Sequence, residues 1–193
     1  MSNFAARSIT RRLFAVAAAA AAAGSIASAA YAASSSPVTH GVPVIPVCAG
    51  TSIGAWLAVS QGSEASGTTY YPLDFTNTGG YACSLSGYPA VSAISRAGVR
   101  LGRPAGRGLL TIAPRVVLAP GATAHTTLAY HNRLVSAGGG CGPVDTAFEL
   151  RIYLDGQKSP AYAAFGFQAC SHAGPVYLTI MEPIRAGVGT TKA

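Results

Sequence analysis

Between positions 68 and 78 apolar and polar residues alternate along the chain. Tyr71, Leu73 and Phe75 fall on one side, and Pro72, Asp74 and Thr76 on the other. A two-residue period of this kind predicts a half-buried β-strand. It runs into the turn Asn77-Thr78-Gly79-Gly80 and then a short strand at 83–85 that carries a cysteine. Further strands are predicted at 53–60, 90–95, 116–118, 122–130, 147–154, 161–167 and 176–181, with shorter pieces at 99–101 and 109–112. Strand 122–130 has unlike faces: Thr123, His125 and Thr127 against Ala124, Thr126, Leu128 and Tyr130. In 147–154, Phe148, Leu150, Ile152 and Leu154 are expected to point inward, with Glu149, Arg151 and Tyr153 outward. Arg96-Ala97-Gly98, Ala119-Pro120-Gly121 and Asp155-Gly156 read as turns.

No helical period stands out after the N-terminal region. The pattern predicts an all-β fold, an antiparallel, immunoglobulin-like β-sandwich of about eight or nine short strands. A small β-barrel is the alternative. Trp56 and Phe75 are the expected core anchors. Trp56 as a ligand-stacking residue is the competing reading of that position.

The N-terminus follows a different logic. Ser8-Ile9-Thr10-Arg11-Arg12-Leu13-Phe14 has the form of a twin-arginine export signal, and a weakly apolar, Ala-dominated stretch follows it. That stretch is too short and too weakly apolar for a membrane span, which needs about 20 residues. Ala30-Tyr31-Ala32 fits a small-residue cleavage site, with Ala27-Ser28-Ala29 as a second candidate. A Sec-type signal is the alternative export route. The expected organisation is a signal peptide at 1–32, cleaved after Ala32, and an extended Ala/Ser/Pro leader at 33–47. A single domain at 48–183 and a flexible tail at 184–193 complete it. Neither a lipid-attachment cysteine nor a C-terminal anchor is visible. The expected mature product is therefore secreted, extracellular or envelope-associated, without a transmembrane span. Eleven arginines stand against two lysines, the usage of a GC-rich bacterial genome such as that of an actinobacterium.

Cleavage leaves about 160 residues, enough for one domain with its own core. It removes three arginines and no acid, which lowers the formal charge from +7 to +4. All four cysteines, Cys48, Cys83, Cys141 and Cys170, lie in the mature part. An even count in an exported chain reads as two disulfides. Three pairings are open. The sequential one, Cys48–Cys83 and Cys141–Cys170, is favoured because each pair then brackets a strand or two and a turn. A four-cysteine metal site would want a C-x-x-C spacing, and none occurs.

Phe75-Thr-Asn-Thr-Gly-Gly-Tyr-Ala-Cys-Ser-Leu-Ser-Gly-Tyr-Pro-Ala-Val91 resembles the signature of the actinobacterial domain-of-unknown-function 4232 family. Gly102-Arg103-Pro104-Ala105, Leu118-Ala119-Pro120-Gly121, Cys141 and Leu150-Arg151-Ile152-Tyr153 fit it as well. The resemblance covers about residues 48–183. It implies an exported β-sandwich domain without an assigned function, and it brings no catalytic residues with it. Many relatives look lipid-anchored or membrane-tethered, whereas this chain shows neither device.

Candidate chemistry is sparse. The G-x-S-x-G elbow of serine hydrolases is absent. His125, His131 and His172 are too scattered for a triad, and no H-x-H or H-E-x-x-H spacing supports a metal site. Six carboxylates leave little room for a glycosidase pair. No catalytic residue, cofactor or metal is expected. The charge distribution says more. From Phe75 to Val144 there is no acid, while Arg96, Arg100, Arg103, Arg107, Arg115 and Arg133 fall in that span. Arg96, Arg100, Arg103 and Arg107 are the candidate anion-binding residues, at one cationic end of the sandwich. The competing reading is that these arginines merely keep the loops soluble.

Three function classes follow. The first is a non-catalytic extracellular binding or structural module that rests on the cell envelope, expected to be monomeric, with an anionic envelope polymer as its candidate ligand. The second is an interaction or inhibitor-like module for an unidentified protein. The third is an enzyme of unrecognised type. Nucleic acid is not an expected partner, because no stacking aromatics interleave the arginines.

Overall fold

The computed structural model describes residues 44–108, 111–136 and 138–190. The chain divides into two units, Met1–Gly41 and Val42–Ala193. The described residues all belong to the second. The signal peptide, its cleavage after Ala32, and the leader as far as residue 43 lie outside them, as do residues 109 and 110 of one expected short strand.

In chain order the strands are β1 (Ile53–Leu57), β2 (Ser63–Ala65), β3 (Thr68–Asn77), β4 (Cys83–Leu85), β5 (Ala90–Ser95), β6 (Arg100–Leu101), β7 (Gly106–Arg107), β8 (Val116–Leu118), β9 (Thr123–Tyr130), β10 (Val144–Tyr153), β11 (Ala161–Cys170), β12 (Leu178–Ile180) and β13 (Arg185–Ala186). A one-turn helix, α1 (Asn132–Val135), follows β9. The expected main strands are present, and β2, β7 and β13 are additional two- or three-residue pieces.

The strands form two main sheets. Seven strands make one, in the order β1-β3-β9-β12-β7, with β13 beside β9 and β2 beside β3. Four make the other, in the order β11-β10-β5-β6. A separate pair, β4-β8, closes one flank. Nearly all pairing is antiparallel. The exceptions are β12 with β7 and a single bridge between Val47 and Ser84. The fold is an all-β sandwich.

The β3–β9 register explains the alternation. Leu73 lies opposite Thr126, and Phe75 opposite Ala124. All four are buried. The core between the sheets is filled by Leu73, Phe75, Leu128, Leu150, Ile152, Leu178 and Ile180, among others. A row of rings crosses it. Tyr71 meets Phe165 edge-on at 5.2 Å, Phe165 stacks on Phe167 at 4.6 Å, and Phe167 meets Tyr130 edge-on at 5.2 Å. Such pairs add about 0.5–1.5 kcal/mol each beyond their buried area.

The central motif is held by one side chain. Asn77 is buried. Its Nδ2 donates to the carbonyls of Tyr81 and Leu118, and its Oδ1 accepts from the Gly79 N–H. The end of β3, the turn after it and β8 are thereby tied together. Gly102 has a comparable local reason. It sits at φ +62°, and a Cβ there would lie 2.6 Å from Tyr177 Cε1. That close approach lets the buried Tyr177 hydroxyl donate to the Leu101 carbonyl at 2.8 Å.

Cys48 pairs with Cys83 and Cys141 with Cys170, the sequential arrangement, with Cα separations of 4.8 and 5.2 Å. The first pins the segment before β1 to β4. The second pins the loop after α1 to the end of β11. Loops of 35 and 29 residues correspond to about 4 kcal/mol of chain-entropy stabilisation each.

Three expectations need correction. Trp56 is not a core anchor: it is 43% exposed. The phase of β1 turns Ile53 and Leu57 inward, which leaves Trp56 on the outer face opposite Asp74. Phe148 does not point inward either. A bulge between Ala147 and Glu149 shifts the alternation, so Ala147 takes the core position and Phe148 is 40% exposed. The tail expected at 184–193 is built into the fold as far as Gly189, whose N–H reaches Asp74. Ile184 is fully buried, and β13 pairs with β9.

Candidate functional site

The four candidate arginines do not form one cluster. The register separates them. Arg96 follows the end of β5, and Arg100 lies in β6 opposite Ile94, so both belong to the hairpin at the edge of the four-stranded sheet. Ser95 closes that hairpin by donating its N–H to the Val99 carbonyl. Arg103 is exposed in the turn beyond β6. Between Leu101 and Gly106 the chain crosses to the other sheet. Arg107 therefore sits in β7 at the far edge of the seven-stranded sheet, with its guanidinium 5.7 Å from the Tyr88 ring centroid. Arg115 lies elsewhere again and donates to the Ile45 carbonyl.

What gathers on the outer face of the four-stranded sheet differs from the sequence grouping. Arg96 lies over the Phe148 ring, 4.4 Å from its centroid. The bulge that expels Phe148 supplies this platform. A guanidinium stacked on an aromatic face is held in place while its N–H groups stay free for an anion. Two rows further along, Arg151 is flanked by Ser92 on β5 and Tyr162 on β11. Its Nε–H is buried and has no hydrogen-bond partner. The row between runs Arg100, Ile94, Glu149, Ala164. Ile94 is buried there without joining the core cluster. Three arginines thus share a face with one acid, Glu149. Among the described residues the one ion pair is Arg185–Glu182, at 2.9 Å, and it lies on the other sheet. Sequence reading missed Arg151 and Phe148 as members of this group. The only signal was the outward phase of Arg151.

A second polar group lies on the outer face of the seven-stranded sheet. Asp74 and His125 are Cα partners across β3 and β9. The segment after β13 passes over them. Gly189 donates its N–H to Asp74 Oδ1 at 2.7 Å, and His125 Nδ1–H donates to the Gly187 carbonyl at 2.8 Å. Asp74 is fully buried, and its Oδ2 has no partner. Burial pushes its carboxyl above the usual range, against the opposing pull of the Gly189 N–H and the nearby His125. The strap closes this group off, so it is a structural site.

The remaining histidines do not converge. His131 bridges two hydroxyls, Thr68 Oγ1 through Nδ1 and Thr179 Oγ1 through Nε2, each at 3.0 Å. Burial lowers its pKa. His172 is exposed. No group of three or more His, Cys, Asp or Glu among the described residues could hold a metal ion. A cavity of about 660 Å³ lies against the Cys141 disulfide and is lined by Val135, Ser136, Pro143, Val144, Cys141 and glycines, with no titratable side chain among them. No helix among the described residues is long and apolar enough to cross a membrane.

Comparison with known proteins gives one match. The model of the family described as domain of unknown function (DUF4232) matches residues 48–179. No curated protein and no solved structure matches the chain.

Proposed function

Since the chain belongs to the DUF4232 family, which carries no assigned activity, we propose a function from its surface: an exported, non-catalytic module that binds an anionic polymer of the bacterial envelope. The observation that carries this reading is the outer face of the four-stranded sheet, where Arg96 is mounted on Phe148 and shares the face with Arg100 and Arg151. An arginine braced by a ring loses little conformational freedom on binding, and its planar fork suits carboxylate and phosphate oxygens. The two disulfides fit an oxidising compartment. The twin arginines, the Ala-rich stretch and the Ala30-Tyr31-Ala32 site support export by the twin-arginine route, and the arginine-rich composition supports an actinobacterial source.

The test is co-sedimentation of the oxidised mature protein, residues 33–193, with isolated bacterial envelope. Salt is raised from about 0.01 M to about 0.1 M, which shortens the screening length from about 30 Å to about 10 Å. Binding is expected at low salt, weakening with salt, and lost in Arg96→Gln/Arg100→Gln but not in Arg103→Gln/Arg107→Gln. Equal binding by all three proteins would refute the reading.

A second reading has its own observation. On the flank, Val47 bridges to Ser84, which pairs with Val117. Both valines are exposed, as is Tyr81, and Val47 and Tyr81 line one shallow groove. This apolar strip suits a protein partner. A stoichiometric complex that persists as salt rises would favour it.

A further inference from the structure

We infer that the same face is a shelf for an acidic polysaccharide, with Tyr162 under a sugar ring and the arginines on its acid groups. This rests on the anion-binding reading and narrows it from any polyanion to a charged glycan.

The argument starts from β11, the edge strand. Its inward positions are Ala161, Ala163, Phe165, Phe167 and Ala169. Its outward positions are Tyr162, Ala164, Gly166 and Gln168, all exposed and none charged. A ten-residue edge strand without an outward charge lacks the usual protection against unwanted pairing. Here the outward side chains are also unusually low. Ala164 and Gly166 form a flat step beside one ring, and a Cβ built on Gly166 would meet nothing within 4 Å. Tyr162 is 50% exposed at one end of the step. Tyr153, opposite Ala90 in the next row, is 37% exposed.

Charge lies alongside. Tyr162 is the Cα partner of Arg151, and Arg151 is the partner of Ser92, so ring, guanidinium and hydroxyl form one row across three strands. Beyond the bulge stands the Arg96–Phe148 pair. An exposed tyrosine offers an apolar face with a polar rim, which matches the C–H face and hydroxyl rim of a pyranose. Arg151, half-buried beside that ring, adds positive charge to the row, while its Nε–H stays buried within the face. A neutral glycan would leave the arginines unused, and a bare polyphosphate would leave the ring and the step unused. A nucleic-acid strand would want a continuous basic groove, and Glu149 interrupts this one.

The experiment uses the mature protein and three probes: polygalacturonate (charged sugar), polyphosphate (charge without sugar) and dextran (sugar without charge). Affinity electrophoresis is run on the parent, Tyr162→Ala, Gly166→Trp and the control Gly166→Ala. Polygalacturonate should bind the parent and dextran should not. Tyr162→Ala and Gly166→Trp should each weaken polygalacturonate about tenfold and leave polyphosphate within about twofold. Gly166→Ala should match the parent. All these side chains stand clear of the core, and unchanged melting verifies the fold; a variant that melts lower is set aside and the other decides. Polyphosphate binding with no polygalacturonate binding, or with both polymers equally affected by the substitutions, overturns the shelf and leaves the arginine reading standing. Tyr162-dependent polygalacturonate binding without polyphosphate binding sustains the shelf and overturns the wider polyanion reading. No binding of either polymer overturns both.

Discussion

Replacing Gly189 by alanine tests whether the segment after β13 is part of the fold. Gly189 donates its N–H to the buried Asp74 carboxylate at 2.7 Å. A Cβ at this position would lie 2.7 Å from Pro72 Cβ and 3.1 Å from His125 Cβ. Neither neighbour can swing away: one is in a ring held within β3, the other is the first carbon of a side chain in β9. The strap must lift, and the hydrogen bond to Asp74 goes with it. A hydrogen bond to a charged group contributes about 1.5–3 kcal/mol. Alanine returns about 0.4–1 kcal/mol by narrowing the unfolded ensemble. The net loss is about 1–2 kcal/mol, or about 3–6 °C in melting temperature for a domain of this size. Gly166→Ala is the matched control, because its Cβ enters open space. Thermal unfolding of the oxidised mature protein followed by circular dichroism measures both. If Gly189→Ala melts with Gly166→Ala, the strap does not hold Asp74 and the reasoning fails.

Two pH dependences follow from burial, and their signs oppose. Burial raises the Asp74 pKa, so its contribution to stability is complete below the ordinary carboxylate value and is lost as pH rises through the folded value; denaturant titrations of Asp74→Asn should lack that downward step. Burial lowers the His131 pKa, so its contribution is complete above the ordinary histidine value and is lost as pH falls below that value through the lowered folded one; His131→Gln should flatten that slope, and an unchanged slope would contradict the assignment. Tyr177→Phe leaves the buried Leu101 carbonyl without its donor and should cost about 1–3 kcal/mol; a denaturation midpoint equal to the parent's would show that the hydroxyl contributes nothing.

The residues differ in how openly they announce their places. Leu73 and Phe75 were legible because the core-facing positions of β3 are apolar and alternate with Asp74 and Thr76, and that period survives in the sequence even though the strap covers Asp74. Trp56 misleads because size alone suggests the core, while the phase of β1 is set by Ile53 and Leu57. Phe148 misleads because a bulge inserts no distinctive residue type; only the registers of β5 and β11 against β10 reveal it. The segment from Ile184 to Gly189 reads as a frayed end because its partners, His125 and Asp74, lie far back in the chain. The arginines show the same limit from the other side. Proximity in sequence grouped Arg96 with Arg107, but the crossing after Leu101 sends them to different sheets. Strand register instead brings Arg151 to the face that Arg96 and Arg100 share.

That face is the central claim, and hydrogen exchange locates it most directly. Backbone amide exchange of the oxidised mature protein would be followed by NMR with and without solubilised envelope polymer at low salt. The account predicts added protection confined to the Arg96–Arg100 hairpin, the Phe148 bulge and the Tyr162–Gln168 edge. Protection centred on the strap and the outer face of β3 and β9, or on the Val47–Val117 flank, would contradict it.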